Sequence, residues 1–324
     1  MMFVDGKVNF SLINSIVEKL RAHTFCEVYD MVDMNTMLSD PAFAHRNRTK
    51  KQVMEDSNDR LKHSRVEIDT FGQVRNMLSG VRGDGVYKYK VGHSRKVPNY
   101  GRLYDSCYRL MAYVQERIRS VAMKGMVEID QKGCHPRNLV RLYTETFHEE
   151  PVAAKQLVTD KEAFVREALQ HYKLNDNDKN RKQIKAIVLA ITYGGSISSV
   201  FEAKHGSKKK EEKALLQSDA KKFQDHNGKW VEMPLLKRYK DEVKKVIGVI
   251  EEYYPEVFKA VYKDGITAHD HKTRTLSYVL QSMETAVSAL AVLYMIDKGL
   301  LGDLVDGAYR MSFLHDGFYV LESP

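Results

Sequence analysis

Residues 309–321 decide the fold and read Tyr-Arg-Met-Ser-Phe-Leu-His-Asp-Gly-Phe-Tyr-Val-Leu. Apolar and polar residues alternate on both sides of His315-Asp316-Gly317, which predicts a β-hairpin with a carboxylate at its turn. A second acid, Asp130, ends the apolar-rich run Met126–Asp130, which predicts another strand. If these strands are neighbours in one sheet, both carboxylates project from the same edge.

Two carboxylates at a shared edge are suited to binding two Mg²⁺ ions, because a hard cation prefers oxygen ligands. Two such ions, about 3.5–4 Å apart, can activate a 3′-hydroxyl and stabilise leaving pyrophosphate. Aspartates at turns are also common without any metal, so this pair needs support from elsewhere in the chain.

That support comes from a predicted helix over residues 178–193, which ends at Gly194-Gly195. Arg181 and Lys185 lie four residues apart, and Thr192 falls on the same stripe. An adjacent apolar stripe would dock the helix on a core; it comprises Ile184, Ile187 and Ile191. The two cations are spaced to hold a triphosphate, with Tyr193 further along where a sugar and base would lie. The alternative interpretation is an ordinary basic helix face.

Three stretches carry a family resemblance: Val127–Arg137, Arg181–Gly194 and Phe313–Pro324. The first has an Asp followed seven residues on by an Arg, the second reads Arg-x-x-x-Lys with Tyr-Gly eight residues later, and the third contains His-Asp. In this order and with these spacings they resemble the first palm motif, the fingers helix and the second palm motif of family A DNA polymerases. Phage-type single-subunit RNA polymerases share these motifs.

Shorter stretches agree with that resemblance. Gly101-Arg102-Leu103 is similar to an element upstream of the first palm motif, and Tyr254–Val257 to one after the fingers helix. Gln281 with Thr285-Ala286 resembles the helix that contacts the template. The resemblance covers roughly residues 98–324, and the first 95 residues show no proofreading exonuclease motif.

The resemblance implies a role for each matching residue. Asp130 and Asp316 would bind two Mg²⁺ ions, with Mn²⁺ able to substitute. Arg181 and Lys185 would hold the incoming triphosphate, and Lys185 would also protonate the leaving pyrophosphate. Positioning and charge neutralisation carry most of the acceleration in such phosphoryl transfer.

Other matching residues would contact nucleotide or nucleic acid. Tyr193 would pack on the nascent base pair, and His315 would lie near the 3′ end of the primer. The remaining predicted contacts to primer or template are Arg102, Arg137 and Gln281.

The chain departs from the family pattern at four positions. His135 stands where family A DNA polymerases usually have the Glu that obstructs a ribonucleotide 2′-hydroxyl, and a His is bulky enough to act as such a gate. Gly317 replaces a Glu or Ser, Leu189 replaces an aromatic residue in the nucleotide site, and Ala190 replaces a common Gly. These departures leave the choice of sugar open. Arg102 and Arg137 follow the DNA-polymerase pattern and favour DNA synthesis.

We therefore expect an α+β fold, with a polymerase palm of antiparallel sheet and helices, an α-helical fingers subdomain and a small N-terminal region. The boundaries would be 1–95 for an N-terminal region serving as a reduced thumb, 96–160 and 263–324 for the two parts of the palm, and 161–262 for the fingers. The compact size suggests a phage or other mobile-element origin.

The composition is consistent with a soluble protein that binds nucleic acid. The net charge is +8, and basic residues bind phosphates by releasing counterions. No run approaches the ~20 apolar residues of a membrane helix, and Met1–Lys19 lacks the features of a secretory signal. Three widely spaced cysteines, one of them in the Cys134-His135 pair, argue against disulfides or zinc. We expect a cytoplasmic monomer acting on DNA template, primer and nucleoside triphosphates, in the host cytoplasm if phage-encoded.

Three other functions remain open. An RNA polymerase or primase would use the same residues on ribonucleotides. A non-catalytic replication accessory protein would keep the fold without the chemistry. A Mg²⁺-dependent nuclease would use the same two carboxylates but has no need for cations that hold a triphosphate.

Overall fold

A computed structural model describes residues 1–29, 31–39, 81, 84–94, 97–105, 125–201, 220–263, 265–302, 304–313 and 317–322. Two of the predicted site residues, Asp316 and His315, fall outside these residues.

The main sheet has five strands in the spatial order β4-β3-β8-β9-β7. Its strands are β3 (Phe25–Val28), β4 (Val86–Tyr89), β7 (Met126–Asp130), β8 (Tyr309–Phe313) and β9 (Gly317–Leu321). All neighbouring pairs are antiparallel except β3 and β8, which are parallel. The fold is thus α+β with a mixed sheet, rather than the purely antiparallel sheet predicted.

The predicted hairpin is confirmed in its two strands. Phe313 pairs with Phe318, and Met311 pairs with Val320, as the alternating pattern requires. The predicted strand Met126–Asp130 is also present and pairs with β9 along its whole length.

The N-terminal part of the chain contributes strands to the main sheet. β3 and β4 come from the N-terminal part of the chain, yet they form two of the five strands. Helix α1 (Phe10–Arg21) packs on the long helix near the C-terminus. Two described strands of residues 1–95 therefore belong to the same sheet as the hairpin, and residues 40–80 lie outside the described part.

Two further pairs of strands lie outside the main sheet. β1 (Phe3–Val4) pairs with β2 (Lys7–Val8), and β5 (Val91–His93) pairs with β6 (Leu103–Asp105). The hydroxyl of Thr146 donates to the Gly6 carbonyl in the first turn.

Two of the remaining helices begin at clear local signals. Asn177 caps the helix over 178–192 by accepting from the Asn180 N–H, and Pro234 occupies the first turn of another. The remaining helices are α2 (Met31–Ser39), α3 (Cys134–Phe147), α4 (Val152–Thr159), α5 (Lys161–His171), α6 (Asp178–Thr192), α7 (Ile197–Phe201), α8 (Pro234–Tyr253), α9 (Pro255–Ala260) and α10 (Ala268–Asp297).

Helix α10 is the centre of the molecule. It packs against α1, α3, α8 and α9, and it begins at Ala268. Thr267 sets that start because its side chain accepts from the Asp270 N–H.

Two histidines lie in this first turn of α10. His269 is exposed, but His271 is buried and stacks on Phe258, and its Nε2 lies 2.6 Å from the Phe258 carbonyl oxygen. His271 is buried because α9 packs over it.

Within the described residues, α10 is also the one helix long and apolar enough to cross a membrane. Of the qualifying stretch, 56% is buried inside the protein. Core helices of soluble proteins commonly meet the same criterion. The predicted absence of a membrane partner therefore stays a prediction.

Helix α4 is fixed to α8 by one carboxylate. Glu242 of α8 accepts from the backbone N–H groups of Ala153 and Ala154, each at 2.9 Å. The first N–H groups of a helix have no partner within it. Glu242 therefore supplies from another helix the cap that Pro151 cannot provide.

Candidate functional site

The end of β7 lies beside the start of β9. Asp130 pairs with Gly317, the residue that follows Asp316 in sequence. The side chain of Asp130 is exposed, and Asp316 itself lies outside the described residues. The described backbone therefore brings the first predicted acid next to the neighbour of the second.

Gly317 is required by this close approach. A Cβ atom at this position would lie 2.1 Å from the Ile129 carbonyl oxygen and 3.1 Å from the Asp130 Cα. The first distance is shorter than Cβ contacts in proteins allow, and the second is tight against backbone. Any side chain at this position would need β7 and β9 to separate, which gives a physical reason for a glycine here.

One residue of the predicted metal site, Asp130, is described at this edge. Asp130 offers exposed carboxylate oxygens, the ligand type that Mg²⁺ prefers. Among the residues that the structure describes, no three His, Cys, Asp or Glu side chains are grouped to bind a metal, and Asp316 is not one of those residues. The two-ion site stays a prediction.

Helix α6 has the apolar face that the sequence predicted. Ile184, Ile187 and Ile191 are buried against the core. On the outer side Lys185 is exposed, and Leu189 is 46% exposed although it is a large apolar residue. Lys185, Leu189 and Tyr193 follow at intervals of four residues, so they share one side of the helix.

Arg181 lies one turn before Lys185 and is held by two acids. Its Nη2 donates to Asp176 and its Nη1 to Glu162 of α5, both at 2.8 Å. These contacts, the one with Asp176 foremost, raise the pKa of Arg181 above its ordinary value and in turn lower the pKa of Asp176. A triphosphate at Arg181 would compete with these carboxylates.

Thr192 does not continue the exposed stripe. It is fully buried, its Oγ1 donates to the Val188 carbonyl at 2.8 Å, and it lies 2.7 Å from the Tyr239 hydroxyl. The stripe is interrupted because the C-terminal end of α6 packs against α8. Burial also raises the pKa of Tyr239.

The end of α6 is fixed closely to its neighbours. Gly194 follows Tyr193 with φ +78°, and a Cβ atom there would lie 2.6 Å from both the Ile247 Cδ1 and the Thr273 Cγ2. The helix therefore ends at a glycine both for its backbone conformation and for the space available. The tight packing of Gly194 therefore fixes the position of the adjacent Tyr193 backbone.

Tyr193 meets His135, the predicted sugar gate. The Tyr193 hydroxyl is hydrogen-bonded to the His135 Nδ1, and the two rings pack edge to face with centroids 5.2 Å apart. His135 is the second residue of α3 and is 7% exposed. Gly133, in the left-handed conformation, turns the chain from β7 into this helix.

Behind His135 lies Glu284 of α10, which the sequence analysis missed. Its Oε1 is 3.1 Å from the His135 Nε2, and its Oε2 accepts from the Arg102 Nε at 2.8 Å. Glu284 is 1% exposed. A single acid among the otherwise buried positions Leu280, Met283 and Ala286 was the available signal, because an acid is rarely buried without a partner.

Gly101 places Arg102 beside Glu284. The Gly101 N–H donates to the Ser282 Oγ at 2.8 Å, and the Thr285 Oγ1 donates to the Gly101 carbonyl at 2.9 Å. A Cβ atom on Gly101 would lie 2.9 Å from the Tyr278 ring. Two elements of the resemblance that lie 184 residues apart in sequence are therefore in direct contact.

Gln281 and Gln131 lie on either side of this contact. The Gln281 Nε2 donates to the Ser277 Oγ at 3.0 Å, and its side chain is partly exposed. Gln131 follows Asp130, and its Nε2 donates to the Glu284 carbonyl at 3.0 Å and to the Ser288 Oγ at 2.6 Å. Gln131 thereby ties the end of β7 to α10.

Cys134 has a structural environment. Its Sγ donates to the Gln131 Oε1 at 3.0 Å and accepts from the Asn138 Nδ2 at 3.3 Å. Both side chains of the Cys134-His135 pair therefore contact protein groups.

The comparisons with known proteins found no match. No protein-family model, no curated protein and no solved structure is similar to this chain at a significant level.

The structure thus brings together some predicted site residues and leaves others apart or undescribed. One connected chain of contacts links Tyr193, His135, Glu284 and Arg102, with Gln281 on the same helix. Asp130 is five residues from His135 along the chain. Arg137 lies exposed on α3, where its Nε donates to the Lys132 carbonyl at 3.1 Å. His315 lies outside the described residues.

Proposed function

We propose that this protein is a template-directed nucleotidyltransferase, a compact DNA polymerase of the family A type without a proofreading domain. The observation that carries the proposal is the meeting of motifs far apart in sequence. Asp130 pairs with the residue after Asp316, and the fingers-like helix α6 ends with Tyr193 against His135. A polymerase needs these groups in one place.

In this proposal the acids and the basic helix have separate tasks. Asp130 and Asp316 would hold two Mg²⁺ ions, which when bound supply positive charge for the attacking 3′-hydroxyl and the leaving pyrophosphate. Lys185 and Arg181 bind the triphosphate, and Lys185 donates a proton to the departing oxygen. The protein contributes position and charge.

Tyr193, His135 and Leu189 would form the nucleotide's surroundings. The exposed Leu189 lies between Lys185 and Tyr193 on one side of α6, where a base could cover it. Tyr193 packs on the nascent base pair. His135, held from two sides, is rigid enough to obstruct a 2′-hydroxyl.

Primer and template would lie along the α10 side of the site. Arg102 and Gln281 contact the nascent duplex, His315 lies near the primer end, and Arg137 contacts the backbone. We propose a cytoplasmic monomer whose partners are DNA template, primer and deoxynucleoside triphosphates.

The test is incorporation of labelled nucleotides on a primed DNA template with Mg²⁺ or Mn²⁺, offering either dNTPs or rNTPs. Asp130→Asn should abolish incorporation while template binding persists. Glu128→Gln, an exposed acid on the same strand, is the matched control and should retain activity. Lys185→Ala should lower the rate, and Lys182→Ala on the same helix should not.

The possible outcomes separate the candidate functions. A product made only from rNTPs would replace the DNA polymerase with an RNA polymerase or primase. Template binding without any incorporation would indicate an accessory protein. Degradation of the labelled strand, dependent on Asp130 but not on Lys185, would indicate a nuclease.

A further inference from the structure

The carboxylate of Glu284 links two sides of the candidate site. One oxygen lies 3.1 Å from His135 of α3, and the other accepts from Arg102 at 2.8 Å. These partners belong to segments that the proposed function assigns to the incoming nucleotide and to the primer–template. Glu284 itself touches neither substrate in that proposal.

Burial makes both contacts of Glu284 consequential. A carboxylate that is 1% exposed is costly unless charged or hydrogen-bonding groups compensate it. Arg102 is largely buried with it, its side chain 23% exposed. Movement of either partner would leave a buried acid incompletely paired, so the positions of Arg102 and His135 depend on one another.

The same carboxylate fixes the tautomer of His135. An ionised carboxylate only accepts hydrogen bonds, so the nitrogen facing it, Nε2, carries the proton. Nδ1 then has a lone pair and accepts from the Tyr193 hydroxyl. This assignment follows from the hydrogen-bond partners, and it makes the orientation of the Tyr193 hydroxyl a consequence of the charge on Glu284.

We propose that Glu284 is a positioning residue that couples selection of the incoming nucleotide, at His135 and Tyr193, to the fit of the primer terminus, at Arg102. The proposal rests on the proposed function. A terminus that displaces Arg102 weakens the hold on His135, and the nucleotide pocket loosens. Sugar choice and extension of mismatched primers are then governed by one buried acid.

The first experiment needs no enzymatic activity. In ¹⁵N-histidine spectra of the whole protein, His135, assigned by its loss in His135→Asn, should show the Nε2–H tautomer. Glu284→Gln and Arg102→Ala should both change its shifts. An Nδ1–H tautomer, or shifts indifferent to Arg102, would overturn the coupling.

The second experiment measures selectivity. In Glu284→Gln the ratio of kcat/KM for a dNTP to that for the matching rNTP should fall about 10-fold or more, the size of a hydrogen bond to a charged group. Extension of mismatched relative to matched primers should rise by a similar factor. Glu242→Gln, a carboxylate with two hydrogen bonds elsewhere, should lower Tm without changing either ratio.

The third experiment tests interdependence. When Glu284 is present, the effects of Arg102→Ala and His135→Ala on kcat/KM should be non-additive. In the Glu284→Gln background, the product of the two single fold-changes should equal the fold-change of the double variant to within about twofold. Unchanged ratios in Glu284→Gln, or additivity in both backgrounds, would show a purely structural role. The expected tautomer in a protein that incorporates no nucleotide would instead contradict the proposed function, and with it the selectivity role.

Discussion

At the scale of single residues, Gly317 lies where β7 and β9 approach so closely that there is no space for a Cβ atom. Its hydrogen occupies the space where any other residue would place a carbon 2.1 Å from a carbonyl oxygen. A position of this kind constrains sequence as strongly as a catalytic role does, although it performs no chemistry.

Gly317→Ala should therefore destabilise the protein by about 1–3 kcal/mol, as overpacking does, and should lower any activity that depends on Asp130. Chemical denaturation provides the measurement. Gly248→Ala is the control, because Gly248 lies in α8 with no atom within 4 Å of an added Cβ. That change should stabilise by about 0.5–1 kcal/mol. Equal effects of the two changes would contradict the crowded site at Gly317.

The lowered pKa of His93 predicts a loss of stability at acid pH. Burial lowers its pKa from 6.5 to about 4, outweighing the opposite effect of the Gly101 and Arg102 backbone groups. Between these values the unfolded chain binds a proton that the folded protein does not. The free energy of unfolding therefore decreases as the pH falls from 6.5 to 4, by about 2–3 kcal/mol from this group.

Replacing His93 with Phe should flatten that part of the stability curve. Denaturation midpoints measured from pH 7.5 to 4 provide the test. His269→Gln, at an exposed histidine, should leave the slope as it is. A slope equal to that of the unmutated protein in His93→Phe would show that other groups cause the acid sensitivity.

At the scale of elements, α6 carries its basic groups in two different states. Lys185 is exposed, whereas Arg181 is bound to Asp176 and Glu162. If the triphosphate competes with these acids, Asp176→Asn combined with Glu162→Gln should lower KM for the nucleotide. The expected change is about two- to fivefold, because exposed ion pairs are weak.

The opposite outcome has an equally clear meaning. A higher KM in the double variant would show that the two acids position Arg181 for the phosphate. Asp178→Asn, an exposed acid in the first turn of the same helix, controls for a general change in charge. Steady-state kinetics on one primed template supplies all three values.

The contact between α4 and α8 is a test of stability alone. Glu242→Ala removes the acceptor of two backbone N–H groups and should cost about 1–3 kcal/mol. Glu252→Ala changes an exposed acid on the same helix and should be close to neutral. Urea denaturation of the two variants measures the difference. A neutral Glu242→Ala would mean that water caps α4 equally well.

Elements with strong local signals were predictable from sequence, and contacts between distant elements were not. The hairpin strands, β7 and the apolar face of α6 follow from periodicity, because burial on one side imposes a period on the chain. The parallel pairing of β3 with β8 has no local signature. Thr192 and Glu284 were missed for the same reason, since each depends on a helix that packs against it from elsewhere.

At the scale of the whole molecule, the net charge of +8 predicts salt-dependent binding of nucleic acid. The affinity for a primed template should fall as salt rises, linearly on logarithmic axes. Arg137→Ala should make that slope less negative by about 0.7–0.9 if Arg137 contacts one phosphate. Fluorescence anisotropy at several salt concentrations measures it, with exposed Arg238→Ala of α8 as the control. An unchanged slope would remove Arg137 from the interface.

The parallel pair of β3 and β8 also bears on how the protein is made. The hydroxyl of Ser312 donates to the buried carboxylate of Glu27, 285 residues away in sequence. During synthesis β3 leaves the ribosome well before β8, so it has no contact with this neighbour until the intervening residues have been made. Pairings of such long range are slow to form, and an open strand edge invites association with other chains. Expression at lower temperature or with chaperones should raise the yield of folded protein.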